Sequence, residues 1–304
     1  MKSEKRLARK KTRKHVLKKR IADGATVVAV IVLAFLVYSS RQKPSDNVEN
    51  FSFKAAIIDQ LSESWQNQTF VDNSRNTLEN ADFNVSIYGY EESNVDFYRS
   101  IPTNGFGLVI FRVHSAIIEG STLLGLFTSE SYDESKLQPD GPYSMDYQQY
   151  PKALVEAFYN ASSSHYFAIA PDFVQYLMQG RFQNTIIILM GCDGLNFTDM
   201  AEAFVSKGAK VCIGWNELVG ASHTDKATDY LLKCLVTRKH SVSAAINETM
   251  HDVGPDPHYS SVLKYYPDSA GDYIIPAYNP PMLSAIQMTM FSAKEIERIS
   301  PFCY

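Results

Sequence analysis

The sequence has little of what defines several protein classes. Four cysteines in 304 residues are too few for a fold built on disulfides. With 15 Gly, 13 Pro and no repeat of 20–50 residues, the chain is neither collagen-like nor a repeat protein. It contains no Gly-rich phosphate loop and no HExxH motif, so we predict neither nucleotide binding nor a metal site. What remains is a globular composition, 45% hydrophobic and 20% charged.

The net charge of −4 is the sum of two unlike parts. Residues 1–20 contain eleven Lys/Arg and one acid, a balance of +10. The other 284 residues therefore contain 18 basic and 32 acidic side chains, a balance of −14. A basic run of this kind is typical of segments that bind nucleic acid or the anionic face of a membrane.

An apolar run directly after the basic segment favours the membrane. Residues 25–38 (ATVVAVIVLAFLVY) carry no charge, and twenty helical residues span about 30 Å, the thickness of the hydrocarbon core. The flanking Lys/Arg cluster keeps the N-terminus in the cytoplasm. We predict a basic cytoplasmic tail at 1–20, a transmembrane signal anchor at 21–40, a linker at 41–50 and an extracytoplasmic domain at 51–304, with no nucleic-acid partner. A cleaved signal peptide and a buried soluble helix are the alternatives.

Potential glycosylation sites agree with an outward-facing domain. Six N-x-[ST] sequons occur, all after the apolar run, although such short motifs also arise by chance. Their asparagines are Asn50, Asn67, Asn84, Asn160, Asn196 and Asn247.

Strand-like and helix-like segments alternate from residue 51 onward. The strand-like segments are apolar or β-branched runs at 54–61, 84–90, 107–113, 185–191 and 209–215, and 123–128 is a further strand or hairpin arm. Helical periodicity or capping signals lie at 67–80, 171–180, 198–207, 222–235, 241–252 and 282–298. This alternation predicts one α/β domain with a doubly wound, mostly parallel sheet and helices on both faces.

Two reactive side chains directly follow buried strands. His114 comes after GLVIFRV and Cys192 after TIIILMG. Ligands and catalytic groups of open parallel sheets gather beyond the carboxyl ends of the strands. A thiol and an imidazole at that edge are the minimal parts of a cysteine nucleophile with its base. The alternative is a small buried thiol and a structural histidine.

The segment around Cys192 resembles the caspase-like cysteine peptidase clan, which includes caspases, legumains, separases, gingipains and CHAT domains. The shared pattern is an apolar run (Ile186–Leu189), two small or variable residues, the nucleophilic cysteine, a helix at 199–207 and a strand from Gly208-Ala209 to Trp215. Upstream, the clan's apolar strand ends in His-Gly, and here GLVIFRV ends in His114-Ser115. The similarity covers roughly residues 100–250.

The resemblance implies a role for each matching residue. Cys192 would be the nucleophile, His114 the general base, and the backbone N–H groups of Ser115 and Cys192 the oxyanion donors, with no cofactor. Ser115 departs from the clan's glycine, and the His-to-Cys spacing of 78 residues exceeds the ~50 of caspases. Three acids near these segments, Asp193, Glu119 and Glu217, are candidates for a pocket that accepts a basic substrate side chain.

The leading prediction is a membrane-anchored, outward-facing cysteine endopeptidase whose partners are polypeptide substrates and the membrane. The first alternative is a catalytically inactive caspase-like ectodomain that acts as a sensor or interaction module. The second is a tethered binding protein of another α/β fold. Cys212 and Cys234 are predicted core residues, and a disulfide between them is left open.

Overall fold

A computed structural model describes residues 51–158 and 163–278. The predicted tail, anchor and linker lie outside these residues, as does the predicted helix at 282–298. Within the described ranges, no helix combines the length and the apolar character needed to cross a membrane.

The described part is a mixed α/β fold with two sheets. Its strands are β1 (Lys54–Asp59), β2 (Asn84–Tyr88), β3 (Leu108–Arg112), β4 (Ser115–Ile117), β5 (Leu124–Ser131), β6 (Leu154–Phe158), β7 (His165–Ile169), β8 (Thr185–Leu189), β9 (Ala209–Trp215) and β10 (Leu263–Tyr266). Its helices are α1 (Gln68–Glu79), α2 (Val95–Ser100), α3 (Ser144–Gln149), α4 (Asp199–Ser206), α5 (Ala221–Leu232) and α6 (Val242–Asp252).

The larger sheet confirms the predicted mostly parallel architecture. Its strand order is β10-β9-β8-β3-β1-β2. Five of its six strands run parallel, as predicted, and these are β2, β1, β3, β8 and β9. The edge strand β10 pairs antiparallel with β9 and comes from the Tyr- and Pro-rich stretch after residue 254.

Helices and a second sheet cover the two faces of the larger sheet. Alternate residues of the central strands point to opposite faces, as the period of two requires. Ile187 and Leu189 of β8 belong to a core with α4 and the second sheet, which we call the first core. Ile186 and Ile188 belong to a core with α1, α5 and α6, the second core. All four side chains are buried, so β8 is apolar along its whole length.

The second sheet is a feature that the sequence did not predict as a unit. It is antiparallel, with the order β4-β5-β7-β6, and is built from the long segment between His114 and Cys192. Of its strands, the sequence pattern indicated only β5. The short strands β6 and β7 are partly exposed and therefore lack a continuous apolar run.

Two local predictions are wrong. The predicted helix at 222–235 starts with S-x-x-D, the spacing of a capping box between Ser222 and Asp225, but α5 begins after Gly220, has no side-chain cap, and buries Asp225. The Pro171 helix was expected to continue to Gly180. It closes instead as a π-helical turn at Phe173–Leu177, with Gly180 at φ 71° beyond it.

Candidate active site

The topology of the larger sheet brings the ends of three strands together. The strand order reverses between β1 and β3, so their carboxyl ends form the topological switch point where open α/β sheets bind ligands. β8 lies next to β3 in parallel, with Phe111 opposite Leu189. His114 and Cys192 each lie three residues beyond this pair. The two predicted residues therefore occupy equivalent positions past neighbouring strands.

Direct contacts hold these two segments against each other. The Ser115 hydroxyl donates a hydrogen bond to the backbone oxygen of Cys192, at 2.5 Å. A Cβ atom on Gly191 would lie 2.6 Å from the Val113 backbone oxygen and would also clash with the Ser115 hydroxyl. Glycine at position 191 is thus required by the close approach of the two strand ends.

The Cys192 thiol is half-buried beside the loop that precedes α5. Its Sγ accepts a hydrogen bond from the Val219 backbone N–H at 3.5 Å and lies 3.7 Å from the Val219 carbonyl oxygen, to which the thiol can donate. Burial raises the pKa of the thiol, the Val219 backbone contact opposes this rise, and the Asp193 carboxylate adds to it. The resting group at neutral pH is therefore the thiol rather than the thiolate.

His114 lies in the connection between β3 of the larger sheet and β4 of the second sheet. Its backbone N–H donates to the side-chain oxygen of Gln60 at 3.1 Å, and its ring centroid is 6.0 Å from that of Phe127 on β5. Burial, and secondarily the positive charge of Arg112, lower the pKa of His114 to about 4. The imidazole is consequently neutral at pH 7, the state in which it can accept a proton.

The backbone N–H of Ser115, on β4 of the second sheet, is turned away from the neighbouring strand β5. His114 accepts a bond from the Phe127 N–H, and Ile118 donates to Leu123, so the alternation of an antiparallel pair gives Ser115 a non-hydrogen-bonded position opposite Leu126. β4 is also an edge strand of its sheet. The Ser115 N–H therefore lies on the side of β4 that faces away from β5, and Ser115 itself is buried.

Two of the three predicted pocket acids belong to neighbouring loops. The Asp193 backbone N–H donates to the Glu217 backbone oxygen at 3.0 Å, which joins the turn after Cys192 to the end of β9. Asp193 has a left-handed φ of 57°, and its carboxylate accepts a bond from Asn196 at 2.9 Å. Glu119 is exposed in the β4–β5 turn, four residues beyond Ser115, or about 13 Å along an extended strand.

A further acid near the thiol was missed by sequence reasoning. Asp256 is 1% exposed and accepts backbone N–H bonds from Gly220 at 2.9 Å, His258 at 2.8 Å and Tyr259 at 2.9 Å. These bonds fix the loop on which Val219 lies. The charge of Asp256 also contributes to the raised pKa of the Cys192 thiol.

A buried ionic cluster lies at the carboxyl ends of β1 and β3, close to the candidate dyad in sequence. Arg112, two residues before His114, donates to Asp59 at 2.7 Å and to Asp225 at 2.8 Å and 2.9 Å. A further bond from Arg112 reaches the Trp65 carbonyl at 2.8 Å, and Asn67 donates to Asp225 at 2.8 Å. We call Asp59, Arg112 and Asp225 the ionic cluster. Its members come from β1, β3 and α5, so no local sequence pattern reveals it.

The remaining cysteines and sequons fall in different settings. Cys212 belongs to the first core and Cys234 to the second, on opposite faces of the sheet, and both are free thiols, so the disulfide left open between them does not form. The Asn67 side chain caps α1 and binds Asp225, which leaves its amide engaged. The exposed sequon asparagines are Asn84, Asn196 and Asn247, whereas Asn50 and Asn160 lie outside the described residues.

Comparisons with known proteins give distant matches among solved structures. No protein-family model and no curated protein matches the chain. Among solved structures, it is similar to the Arg-specific cysteine proteinase gingipain R (RGPB), with 13% identity and a TM-score of 0.39. The match covers 68% of this chain and 43% of that chain, so the chain spans less than half of gingipain R. A similarity of this strength is too weak to assign a function.

Proposed function

We propose that the protein is a cysteine endopeptidase in which Cys192 is the nucleophile and His114 the general base. The observation that carries the proposal is the equivalence of the two residues, each three positions past the paired residues Phe111 and Leu189 of adjacent parallel strands. The bond between Ser115 and Cys192 supports it, because it ties together the backbones that carry the two groups.

The chemistry starts from an uncharged pair. A neutral imidazole takes the thiol proton as the sulfur attacks the peptide carbonyl, which gives a tetrahedral oxyanion and an imidazolium. The N–H groups of Ser115 and Cys192 stabilise that oxygen. The imidazolium then protonates the leaving amine, and the C–N bond breaks to give a thioester. Finally, His114 accepts a proton from water, the hydroxide attacks the thioester, and the acid product leaves with the thiol restored.

The acids beside the thiol suggest the substrate side chain. Asp193 and Glu217 lie on the two loops that meet next to Cys192. Negative charge at this position favours a Lys or Arg side chain before the scissile bond. Glu119 is assigned to a more distant part of the cleft because the hairpin carries it away from Ser115.

Membrane attachment is part of the same proposal. The basic residues of 1–20 and the apolar run at 25–38 support an N-terminal signal anchor with the tail in the cytoplasm. The peptidase domain at 51–304 would then face outward, where its exposed sequons can be glycosylated and polypeptides are the substrates.

A second candidate function is supported by the protonation states of Cys192 and His114. Burial keeps the Cys192 thiol protonated and the His114 imidazole neutral, which is the reverse of the thiolate–imidazolium pair that activates many cysteine nucleophiles. A catalytically inactive domain that senses or binds another protein would retain this arrangement.

The test is covalent labelling of the full-length chain with a peptidyl acyloxymethyl ketone, with Arg or Leu as the residue next to the electrophile. We expect a single adduct on Cys192, faster with Arg, and its loss in Cys192→Ala and in His114→Ala. His165→Ala, on β7 of the second sheet, is the matched histidine control and should label normally.

The alternatives give different results. Equal labelling of the Cys192→Ala protein would reject the assignment of the nucleophile. No labelling of the folded wild-type chain, together with no cleavage of a mixed peptide library, would favour the inactive domain.

A further inference from the structure

Three metal-ligating side chains converge between the end of the α5 segment and α6. Cys234 lies in the π-helical turn Lys233–Thr237 that follows α5, His240 in the connection to α6, and Glu248 on α6. One ligand atom from each residue lies within 4.8 Å of the other two. Their spacing in the sequence matches none of the motifs sought, which explains why no metal site was predicted.

One of the three ligand side chains is buried and the other two are half-buried. Cys234 is fully buried, and the Nδ1 atom of His240 is buried without a hydrogen-bond partner. This Nδ1 lies 2.9 Å from Oε2 of Glu248, although the approach does not have the geometry of a hydrogen bond. A buried imidazole nitrogen without a hydrogen bond, facing a carboxylate oxygen and a thiol, is the arrangement that a cation between them would satisfy.

The other oxygen of Glu248 is already engaged, which orients the carboxylate. Oε1 accepts hydrogen bonds from the Tyr230 hydroxyl, at 3.1 Å, and from Arg238 Nη1. Arg238 Nη1 also donates a hydrogen bond to Cys234 Sγ at 3.6 Å, from a side chain that is 42% exposed. The guanidinium therefore binds Oε1 of Glu248. The other oxygen, Oε2, faces Nδ1 of His240. Outer contacts of this kind commonly fix a carboxylate ligand.

We propose that Cys234, His240 and Glu248 form a binding site for a divalent cation that binds thiolates, of which Zn²⁺ is the example we test. Tetrahedral zinc with bonds of about 2.0–2.3 Å places its ligands roughly 3.3–3.8 Å apart, within reach of this cluster after small side-chain shifts. A thiolate and a carboxylate bring two negative charges, which face the two positive charges of the ion and the one of Arg238. The soft thiolate disfavours Mg²⁺ and Ca²⁺. Water is the fourth ligand, because the cluster is open on the side of His240.

Binding is coupled to loss of one proton. An ordinary cysteine thiol is protonated at neutral pH, so the metal-free site holds S–H. The cation displaces that proton to solvent as the metal–sulfur bond forms. The bound ion would link the end of the α5 segment to α6, two elements on the same face of the sheet.

The site is independent of the proposed dyad. Cys234 is fourteen residues beyond Gly220, roughly 20 Å along the helix from the loop that contacts Cys192. The inference therefore goes beyond the proposed peptidase and does not depend on it.

The experiment measures metal binding by the full-length Cys192→Ala protein, so that the candidate nucleophile cannot contribute a ligand. Co²⁺ is added as a spectroscopic probe and then displaced with Zn²⁺. We expect about one equivalent of Zn²⁺ to be bound, a thiolate-to-cobalt charge-transfer band, and release of about one proton at pH 7.

Substitution of each ligand separates this site from adventitious binding. Cys234→Ser should abolish the charge-transfer band, and His240→Gln and Glu248→Gln should each weaken Zn²⁺ binding at least tenfold. These two partly exposed positions keep the test valid if the buried Cys234 variant does not fold. His251→Gln, on the exposed side of α6, is the control and should bind like the parent. Absence of the band in the parent, or unchanged affinity in both His240→Gln and Glu248→Gln, would overturn the proposal.

Discussion

The ionic cluster and the candidate dyad are two polar regions that lie within a few residues of each other at the carboxyl ends of the central strands. In the ionic cluster, Arg112 is 1% exposed and every charge faces an opposite charge. In the dyad, Cys192 and His114 are partly buried and both are uncharged at neutral pH. The paired charges of the ionic cluster are typical of residues that stabilise a fold. The two uncharged groups of the candidate dyad are in protonation states from which a proton can be transferred from the thiol to the imidazole.

Burial has different consequences for the charged cluster and for the uncharged dyad. A buried charge is tolerated when its partners are fixed from several elements, as Asp59 and Asp225 fix Arg112. A buried group that must change its protonation state is easier to keep neutral. Substitutions in the cluster should therefore reduce stability most, and substitutions in the dyad should change reactivity most.

The largest expected effect on stability is that of Arg112→Ala. Removal of the guanidinium leaves the Asp59 and Asp225 carboxylates buried without their counter-charge, which costs about 3–5 kcal/mol. Urea unfolding followed by tryptophan fluorescence measures the loss, with the exposed Arg75→Ala as the matched control. A loss below about 1 kcal/mol would show that the cluster is not the support described.

A smaller loss of stability is expected where the segment after β3 packs against the segment after β8. Gly191→Ala would push a methyl group against the Val113 carbonyl and the Ser115 hydroxyl, at a cost of about 1–3 kcal/mol. Ser115→Ala alone loses one buried hydrogen bond, about 1 kcal/mol. The double variant should recover part of the Gly191→Ala loss, since the hydroxyl clash is gone.

The matched control for this pair is Gly89→Ala, where a Cβ atom would meet its nearest neighbour at 3.5 Å. It should change the free energy of unfolding by less than about 0.5 kcal/mol. Equal, small losses at positions 89 and 191 would contradict the close approach of the two strand ends.

The pH dependence of stability should distinguish the dyad from its surroundings. The pKa of His114 falls from 6.5 in the unfolded chain to about 4 in the fold, so the unfolded state binds more protons between these values. The contribution of His114 is complete above pH 6.5 and declines as the pH falls. Between pH 6.5 and 5 the wild type should lose up to about 2 kcal/mol more than His114→Gln. Parallel stability curves for the two proteins would contradict the buried, neutral imidazole.

Much of the larger sheet was predictable from sequence because its central strands are buried on both faces. The apolar run Thr185–Leu189 and the strand Ala209–Trp215 coincide with predicted segments. The apolar runs of β3 and β8 located His114 and Cys192 beyond the strand ends, where the topology brings their backbones together. Local pattern and global fold agree in these segments.

The rest of the molecule depends on contacts between distant residues. The second sheet contains short, partly exposed strands, whose pattern is too weak to read before their partners are known. Asp225 resembles a helix-capping residue until Arg112, 113 positions away, is seen to bind it. Likewise, Cys234 was predicted to lie in the core, and the nearby His240 and Glu248 become visible only in the fold.

The most direct test of the central claim is the rate of Cys192 alkylation by iodoacetamide across pH 5–10, in the wild type and in His114→Gln, with the modified residue identified by peptide mapping. If His114 takes the proton of Cys192, the wild-type thiol should react at least about tenfold faster than the variant near pH 7. The two rates should converge at high pH, where the thiolate forms without a base. Identical rates in both folded proteins at every pH would contradict the account, because His114 would then have no influence on the thiol.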